Sequence, residues 1–574
     1  MPVVNAEIAS QLDKVADLLD IEGANPFRVR AYRRAARLIG ELPRNVTDML
    51  AEGEDLDELP GLGRDLADKI AVIARGEHLP MLDELEREAP AGITALLALP
   101  GLGPKRVHLL HEKLAIDTVD KLAAAAKAGK LRTVRGIGPA IEAKVLRAIA
   151  EGAATVPRTK LATAEQIVVP LMRHLRLASG VLQAEVAGSY RRRRETVGDL
   201  DIVVAAKPSQ PVMQRFIAYE DVAEVVEQGA TRCTVRLRSG LQVDLRVVPE
   251  ESYGAALCYF TGSKAHNIAL RQIAIDHGLK LNEYGLFKGT KTLAGRTEEE
   301  LYRRLGLGLP PPELREDQGE IDAARSGKLP NLVTVEDIRG DLHVHTTATD
   351  GRASLRDMAH AAQAKGYRYI AITDHSRRIA MAHGLDPKRL ARQIDEIDKL
   401  NEELSGITVL KSIEVDILED GSLDLPDQTL RRLDLVVGAI HSHLDLPQRE
   451  QTDRLLRAMD NRYLNILAHP TGRLINQRPA SAVDIERVMR GAVARGCYLE
   501  VNAQPDRLDL TDVHCRLAKQ LGLKVAISTD AHATVELDFM RFGVDQARRG
   551  WLVPEDVLNT RPLSKLRTIL RQRR

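Results

Sequence analysis

The stretch GSYRRRRETVGDLDIVV, residues 188–204, sets two aspartates, Asp199 and Asp201, two positions apart and directly before the apolar run Ile202, Val203, Val204. A β-branched run favours a strand, and on a strand residues i and i+2 point to the same side. Two carboxylates held side by side repel unless they share a cation, so the pair predicts a divalent metal site. A third acid, Asp244, lies in LQVDLRVV (241–248), which also reads as a strand. Pairing the two strands would bring three acids together. Such a set suits two Mg²⁺ (or Mn²⁺) ions, one for an attacking oxygen and one for a triphosphate. Gly188 and Ser189 precede the acids on a turn and offer a backbone N–H and a hydroxyl to phosphate, and Arg192 adds a charged donor. An isolated Asp-x-Asp would be read as an exposed strand edge. Here the Gly-Ser turn, the arginines and the later aspartate all fit one reaction.

Upstream, about 155 residues read as helices joined by short Gly/Pro turns. A short repeat recurs there: LPGLGRDLADKI (59–70), LPGLGPKRVHLL (99–110) and VRGIGPAIEAKV (134–145). Each copy has two glycines, Gly61 and Gly63, Gly101 and Gly103, Gly136 and Gly138, followed at once by a helix. The turn exposes backbone N–H groups beside a helix N-terminus, which favours a phosphate. The copies look like helix–hairpin–helix motifs that hold DNA backbones. One copy alone reads equally well as a Gly-capped turn, but three add affinity together. Arginines cluster at Arg28, Arg30, Arg33, Arg34 and Arg37 and again at Arg191 to Arg194. Such runs are by themselves solvated surface.

Downstream, GLGLPPPELREDQGEIDAARSGKLP (306–330) is rich in Pro, Gly and charge and reads as a linker. From about 339, seven apolar strands end in polar groups: GDLHVHTTATDG, IAITDHS, LKSIEVDI, LVVGAIHSH, LNILAHPTG, CYLEVNA and VAISTDAHA. Helical segments separate them. The pattern predicts a distorted TIM-like α/β barrel, with fewer than the usual eight repeats and its chemistry at the strands' C-terminal ends. A lone histidine after a strand is usually structural; a whole set at one barrel mouth is not explained that way. Mixed imidazole and carboxylate donors suit two or three Mn²⁺, Zn²⁺ or Fe ions.

The bulk numbers allow this. The 574 residues suggest roughly four domains, and 44% hydrophobic with 28% charged residues fits a globular chain. The net charge of +1, from 82 basic and 81 acidic residues, neither favours nor excludes nucleic acid, since only local patches matter. No apolar run is long enough for a membrane span, and the N-terminus lacks a signal-peptide pattern. Four cysteines without a Cys-x-x-Cys pair suit buried thiols in a reducing cytoplasm.

Together with VDLR (243–246), CYFTGSKAHNIALR (258–271), LNEYGLF (281–287) and NPFRVRAYRRAA (25–36), the opening stretch resembles family X DNA polymerases, the group that includes DNA polymerase beta. The resemblance covers about residues 1–315. It implies a multidomain chain. Residues 1–90 would be an N-terminal helical helix–hairpin–helix domain, 91–157 a second helix–hairpin–helix subdomain, 158–250 an α+β nucleotidyltransferase palm, and 251–315 a thumb. The implied substrates are gapped or nicked DNA and dNTPs, the implied context base excision repair. Asp199 and Asp201 would bind both metals, and Asp244 would complete the catalytic-metal site and help accept the primer 3′-OH proton. Gly188, Ser189, Arg192 and Gly198 would hold the triphosphate, and Tyr259, Phe260 and Gly262 would line the sugar and help exclude a 2′-OH. Asn267 would meet the incoming base in the minor groove and Arg271 the template strand. The work is positioning plus charge stabilisation of an in-line phosphoryl transfer.

Two positions depart from the family. Val197 replaces a hydroxyl that relatives can have, removing one phosphate contact, and Lys264 replaces an acid near the incoming nucleotide. A cation there predicts tight nucleotide binding before DNA binds. The beta enzyme also has a lyase lysine, which falls on Lys69. A Schiff-base lysine must be deprotonated, whereas Asp65 one turn earlier and Asp68 beside it favour the ammonium form. Lys69 therefore reads as an ordinary helix lysine, while Arg28 and Tyr32 are candidates for a 5′-phosphate at a gap.

Residues 339–574, after a linker at 316–338, resemble the PHP (polymerase and histidinol phosphatase) domain. The ligand positions this implies are His343, His345, Asp350, His375, Glu414, His441, His469, Asp530 and His532, with Glu414 and Asp530 as bridging carboxylates. His443 and Asp374 would orient ligands, and Asn502 is a candidate phosphate contact. The implied reaction is phosphoester hydrolysis. Fused to a polymerase, it implies 3′→5′ exonuclease action, extending to blocked 3′ termini and abasic sites. The expected enzyme is a cytoplasmic, nucleoid-associated monomer with no membrane contact. Two other readings stay open: a DNA-end scaffold with silent centres, and a small-molecule phosphatase. Intact acids and histidines speak against the first, hairpin repeats and palm motifs against the second.

Overall fold

The computed structural model describes residues 3, 5–42, 45–59, 62–88, 93–97, 99, 102–134, 137–138, 141–142, 145–146, 158–379 and 382–571. Two compact units divide the chain, 1–157 and 158–574.

The first unit is helical. Helices α1 (Asn5–Ile21) and α2 (Pro26–Glu41) form a hairpin around buried Ile8, Leu12, Val15, Ala35 and Ile39. Asn25 caps α2, its side chain accepting from Phe27 N at 2.9 Å, with Pro26 in the first turn. Helices α3 (Arg64–Ala74) and α4 (Pro104–Leu114) follow Gly63 and Gly103 as N-caps. The repeat has one shared geometry. Leu62, Leu102 and Ile137 are buried, and each donates its N–H three residues back, to Leu59, Leu99 and Val134, at 3.0–3.1 Å.

In the second unit a short two-residue strand, Thr159–Lys160, pairs antiparallel with Thr196–Val197 and leads into α5 (Leu161–Arg176), which precedes a five-stranded sheet. Its strands are β1 (Val181–Val186), β2 (Asp199–Ala206), β3 (Val222–Gln228), β4 (Arg232–Leu237) and β5 (Gln242–Val248), in the order β1-β2-β5-β4-β3. Only β2 and β5 run parallel. Ile202 to Ala206 are buried on both faces, as befits a central strand. Helix α6 (Tyr253–Thr261) packs on the sheet through Ala256 and Leu257, and α7 (Lys264–Asp276) follows it. A small antiparallel sheet, β6 (Lys280–Asn282), β7 (Gly285–Lys288) and β8 (Lys291–Ala294), and helix α8 (Glu298–Arg304) complete this half.

The segment read as a linker from composition is packed chain. Leu307, Leu314, Ile321 and Ala324 are buried. Two of its charges are buried in pairs, which composition does not reveal: Arg315 Nη1 donates to Glu298 at 2.5 Å, and His266 Nδ1 lies 2.6 Å from Glu320.

The barrel strands are β9 (Gly340–Val344), β10 (Tyr369–Ile372), β11 (Thr408–Asp416), β12 (Leu435–Ala439), β13 (Ile466–Leu467), β14 (Tyr498–Asn502) and β15 (Val525–Ser528). All seven are parallel and neighbour one another in chain order. Just beyond β9 and β15 the ring is drawn together by His345 N donating to Ala531 O at 2.8 Å and Asp530 N to His343 O at 2.9 Å. One strand face (Ile372, Ile413, Val436, Leu499, Ile527) packs with Met358, Ile394, Leu455 and Val488 of the surrounding helices. The opposite face carries Ala371, Leu410, Ala439 and Ala526. Helix α9 (Met540–Arg549) joins the outer layer, and α10 (Leu563–Arg571) packs its Leu566 and Leu570 with the inner cluster. Among the described residues no helix is long and apolar enough to cross a membrane, and Cys233, Cys258, Cys497 and Cys515 are buried free thiols.

Candidate functional site

In the palm, strand register assembles the acids. β2 and β5 pair so that Asp201 stands directly opposite Asp244, with Asp199 two residues earlier on the same side. Asp244 accepts from Thr234 Oγ1 at 2.5 Å and from Gln242 Nε2 at 2.8 Å, which fixes its carboxylate. Burial, then Asp199 and Asp244, pushes the Asp201 carboxyl up to about 7. An oxygen-only cluster that resists ionising all together fits a hard divalent cation.

Gly188 lies against this cluster with φ +61°, and a Cβ added there would fall 2.5 Å from Asp201 Oδ2. Beside it, the Ser189 hydroxyl oxygen is buried with no hydrogen-bond partner among the described residues, as a phosphate-binding group would be. Arg192 donates from Nε to Glu316 Oε1 at 3.0 Å and from Nη1 to Thr261 O at 2.5 Å. The space over Gly198 holds Arg158, whose Nη1 sits 2.9 Å from an added Cβ. Arg158 was not singled out from sequence, because its neighbour lies 40 residues away along the chain. Val197 is fully buried.

Tyr259 and Phe260 meet edge to face at the end of α6, and the Arg271 guanidinium lies 5.2 Å from the Tyr259 ring. Asn267 Nδ2 donates to Tyr259 O at 2.6 Å. Gly262 ends α6 at φ +70°, and Lys264 is exposed at the start of α7.

The barrel gathers its histidines and acids where the inner strand faces end. The period-two rows running through Ala371, Ala439 and Ala526 reach His375, His441, and Asp530 with His532. Three groups have ligand atoms within 4.8 Å of one another: His345, Asp350, His375 and His532; His343, His345 and Asp530; His375, Glu414 and His441. His469 Nε2 joins them 3.1 Å from Glu414 Oε1. His343 Nε2 and His345 Nε2 face each other at 3.1 Å, and His345 Nδ1 and His469 Nδ1 are buried without hydrogen-bond partners among the described residues. Facing imidazole nitrogens need a shared cation or proton, so the donors fit metal ions. Burial alone would raise Glu414, but His375, His441 and His343 hold it well below the carboxylate range. Asp530 and His469 adopt left-handed backbones, at φ +54° and +27°.

Residues around this cluster orient it. Asp374 accepts from Thr346 N, Thr346 Oγ1 and Thr349 Oγ1 at 2.8, 2.6 and 2.5 Å, tying down the loop from His345 to Asp350. Sequence reading missed two orienting acids. Glu500 lies 2.8 Å from His343 Nδ1, and Asp416 lies 3.2 Å from His441 Nδ1. Their signal was period two: Glu414 and Asp416, and Glu500 and Asn502, share strand faces. Two minor expectations change. His443 is exposed against Glu419 at 3.8 Å, so it orients no ligand here. Asn502 is fully buried and gives its amide to Glu500 Oε2 and Asp530 Oδ2 at 3.1 and 3.0 Å, steadying Asp530 instead of facing a substrate.

In the first unit, Gly63, Gly103 and Gly138 have open space where a Cβ would stand; Gly61, Gly101 and Gly136 lie outside the described residues. Lys69 Nζ is 2.5 Å from Asp65 Oδ1. Arg28 Nη2 and the Tyr32 hydroxyl meet the Met81 sulfur at 3.5 and 3.2 Å, with the Tyr32 ring buried.

Fold and sites together define a beta-type nucleotidyltransferase joined to a metal-binding barrel, and comparison with known proteins agrees. Residues 155–250 match the DNA polymerase beta palm family and 256–316 the DNA polymerase beta thumb. Residues 3–79 match a helix-hairpin-helix domain, 93–151 a SAM-like helix-hairpin-helix tandem, and 341–504 the PHP domain. The "DNA polymerase/3'-5' exonuclease PolX" of Bacillus subtilis is 37% identical over 99% of both chains. Over 41% of this chain, a "Probable phosphatase" of Thermoanaerobacter sp. is 27% identical across 95% of its own length. Another "Probable phosphatase", from Acetivibrio thermocellus, is 30% identical over 34% of this chain and 80% of its own. The chain belongs to the family X DNA polymerases that carry a C-terminal PHP domain.

Proposed function

We propose that this enzyme fills gaps in DNA during repair with its palm and trims 3′ ends with its barrel. The observation that carries the synthetic half is the register that sets Asp201 against Asp244 beside Asp199. Three oxygen-only donors suit Mg²⁺, or Mn²⁺ in its place, which would offset the charge of the triphosphate and polarise the primer hydroxyl. Asp199 and Asp201 would hold both ions. Asp244, steadied by Thr234 and Gln242, completes the set and accepts the primer 3′-OH proton. The Gly188 N–H, Ser189 Oγ, Arg192 and the backbone of Gly198 bind the triphosphate, with Arg158 beside them. Tyr259, Phe260 and Gly262 line the sugar, Asn267 the minor-groove edge, and Arg271 the template. Lys264 binds nucleotide even before DNA arrives. The hairpin turns at Gly61, Gly63, Gly101, Gly103, Gly136 and Gly138 grip the DNA backbone, and Arg28 and Tyr32 sit at the 5′ side of the gap.

In the barrel, mixed nitrogen and oxygen donors suit two or three Mn²⁺, Zn²⁺ or Fe ions, which would activate water and polarise the phosphate. His343, His345, Asp350, His375, Glu414, His441, His469, Asp530 and His532 would hold them, with Glu414 and Asp530 placed among the histidines as the shared carboxylates. The Bacillus subtilis relative is named for both activities, and the same pair is read here. Cleavage at abasic sites belongs to the same phosphodiester chemistry. The enzyme works as a cytoplasmic, nucleoid-associated monomer.

The test is a duplex with a one-nucleotide gap, supplied with dNTP and Mg²⁺. A 3′-labelled strand with Mn²⁺ is run in parallel, alongside p-nitrophenyl phosphate and histidinol phosphate. Insertion into the gap and release of 3′ nucleotides, both outpacing the small esters, are expected. Binding without chemistry would make the chain a scaffold, and preference for the small esters a phosphatase.

A further inference from the structure

The turn that begins at Gly188 ends at Arg192, and what steadies Arg192 comes partly from outside the palm. Its Nε and Nη1 are committed to Glu316 Oε1 and Thr261 O, while Nη2 takes part in neither bond. Two fixed donors set the plane of a guanidinium. A Cβ at Gly262 would stand 3.2 Å from Nη1, so glycine leaves room for Arg192 against the end of α6.

Glu316 lies in the segment between α8 and the barrel. The same Oε1 accepts from Arg549 Nη1 at 3.2 Å, with Arg194 Nη1 at 3.5 Å. Arg549 closes α9 of the barrel half, and only 2% of its side chain is exposed. Its Nη1 also donates to the main-chain oxygen of Arg192 at 2.7 Å. Its Nε and Nη2 grip Asp512 Oδ2 at 3.0 and 2.6 Å. A buried arginine bonded on all its edges is a rigid strut, because any movement strands a carboxylate.

We propose that Glu316 and Arg549 are positioning residues of the polymerase site: Arg549 fixes Glu316 and the Arg192 carbonyl, and Glu316 aims the Arg192 guanidinium at the triphosphate. This rests on the reading of Arg192 as a triphosphate ligand. The barrel thereby contributes to nucleotide binding through a side chain outside its own ligand set.

The test uses full-length Glu316→Gln, Arg549→Lys and Arg192→Ala. Arg548→Lys serves as control, since Arg548 pairs with Glu313 at 2.8 Å on the same helix turn. Single-turnover insertion into a one-nucleotide gap gives the apparent dNTP Kd apart from the insertion rate. The Kd for gapped DNA and the melting temperature are measured alongside. Glu316→Gln and Arg549→Lys should raise the dNTP Kd about tenfold, the scale of one charge-assisted bond, with DNA affinity unchanged. Arg548→Lys should match the native chain. The proposal is overturned if Arg192→Ala weakens dNTP binding while Glu316→Gln leaves it within about twofold. It is overturned equally if DNA affinity and melting temperature fall in step with dNTP affinity, or if Arg548→Lys behaves like Arg549→Lys. An unchanged dNTP Kd in Arg192→Ala would instead remove the reading of Arg192 itself.

Discussion

Replacing Gly188 with alanine strikes the palm at its tightest point. The backbone there is left-handed, at φ +61°, which costs a non-glycine residue about 1–2 kcal/mol. The new methyl would stand 2.5 Å from Asp201 Oδ2. A carbon and an oxygen need about 3.3 Å, so the carboxylate has to withdraw by about 0.8 Å. A reacting group displaced by nearly 1 Å loses on the order of 100-fold in rate. Gly188→Ala should therefore fold, lose only ~1–2 kcal/mol of stability, and insert nucleotides about 100-fold more slowly. Single-turnover insertion into a one-nucleotide gap measures the rate. Trimming of a 3′-labelled strand by the same preparation shows that the chain is folded, and should be unchanged. A folded Gly188→Ala chain inserting at the native rate would refute the claim that this position stays bare so that Asp201 can reach its metal-binding place.

Burial and neighbouring acids push Asp201 up to about 7, so the Mg²⁺ proposed at this site would have to displace a proton below that value. The Mg²⁺ needed for half-maximal insertion should rise about tenfold per unit as pH falls below 7 and level off above; equal values at about pH 6 and about pH 8 would contradict this. Lys264→Ala should weaken dNTP binding to the DNA-free protein about tenfold by calorimetry, and an unchanged Kd would remove Lys264 from the nucleotide site. Lys69, paired with Asp65 at 2.5 Å, should give no borohydride-trapped adduct with a 5′-sugar phosphate end. An abundant adduct that disappears in Lys69→Ala would overturn that.

The acids and histidines were legible because each motif is local: Asp199-x-Asp201 before a β-branched run, and a polar group closing each barrel strand. The partner of the first pair, Asp244, needed only the assumption that its strand lies alongside, and β2 and β5 do pair. The three hairpin copies were readable because their shared turn is built from residues within a single short motif. What stayed hidden is what depends on distant partners. Glu500 and Asp416 look like acids stranded in apolar strands until the barrel sets them behind His343 and His441. The 306–330 segment has the composition of a tether, yet its Arg315 and Glu320 are buried against Glu298 and His266, which lie elsewhere in the chain. Nothing in the local sequence around Arg549 announces that it bonds to Arg192.

The most direct test of two independent metal centres on one chain is to run Asp199→Ala and His343→Ala beside the native protein on one labelled primer–template, with Mg²⁺ and with Mn²⁺. Asp199→Ala should stop extension and still shorten the 3′ end, while His343→Ala should extend and no longer shorten it. Loss of both activities in either variant, or loss of neither, would contradict two independent centres.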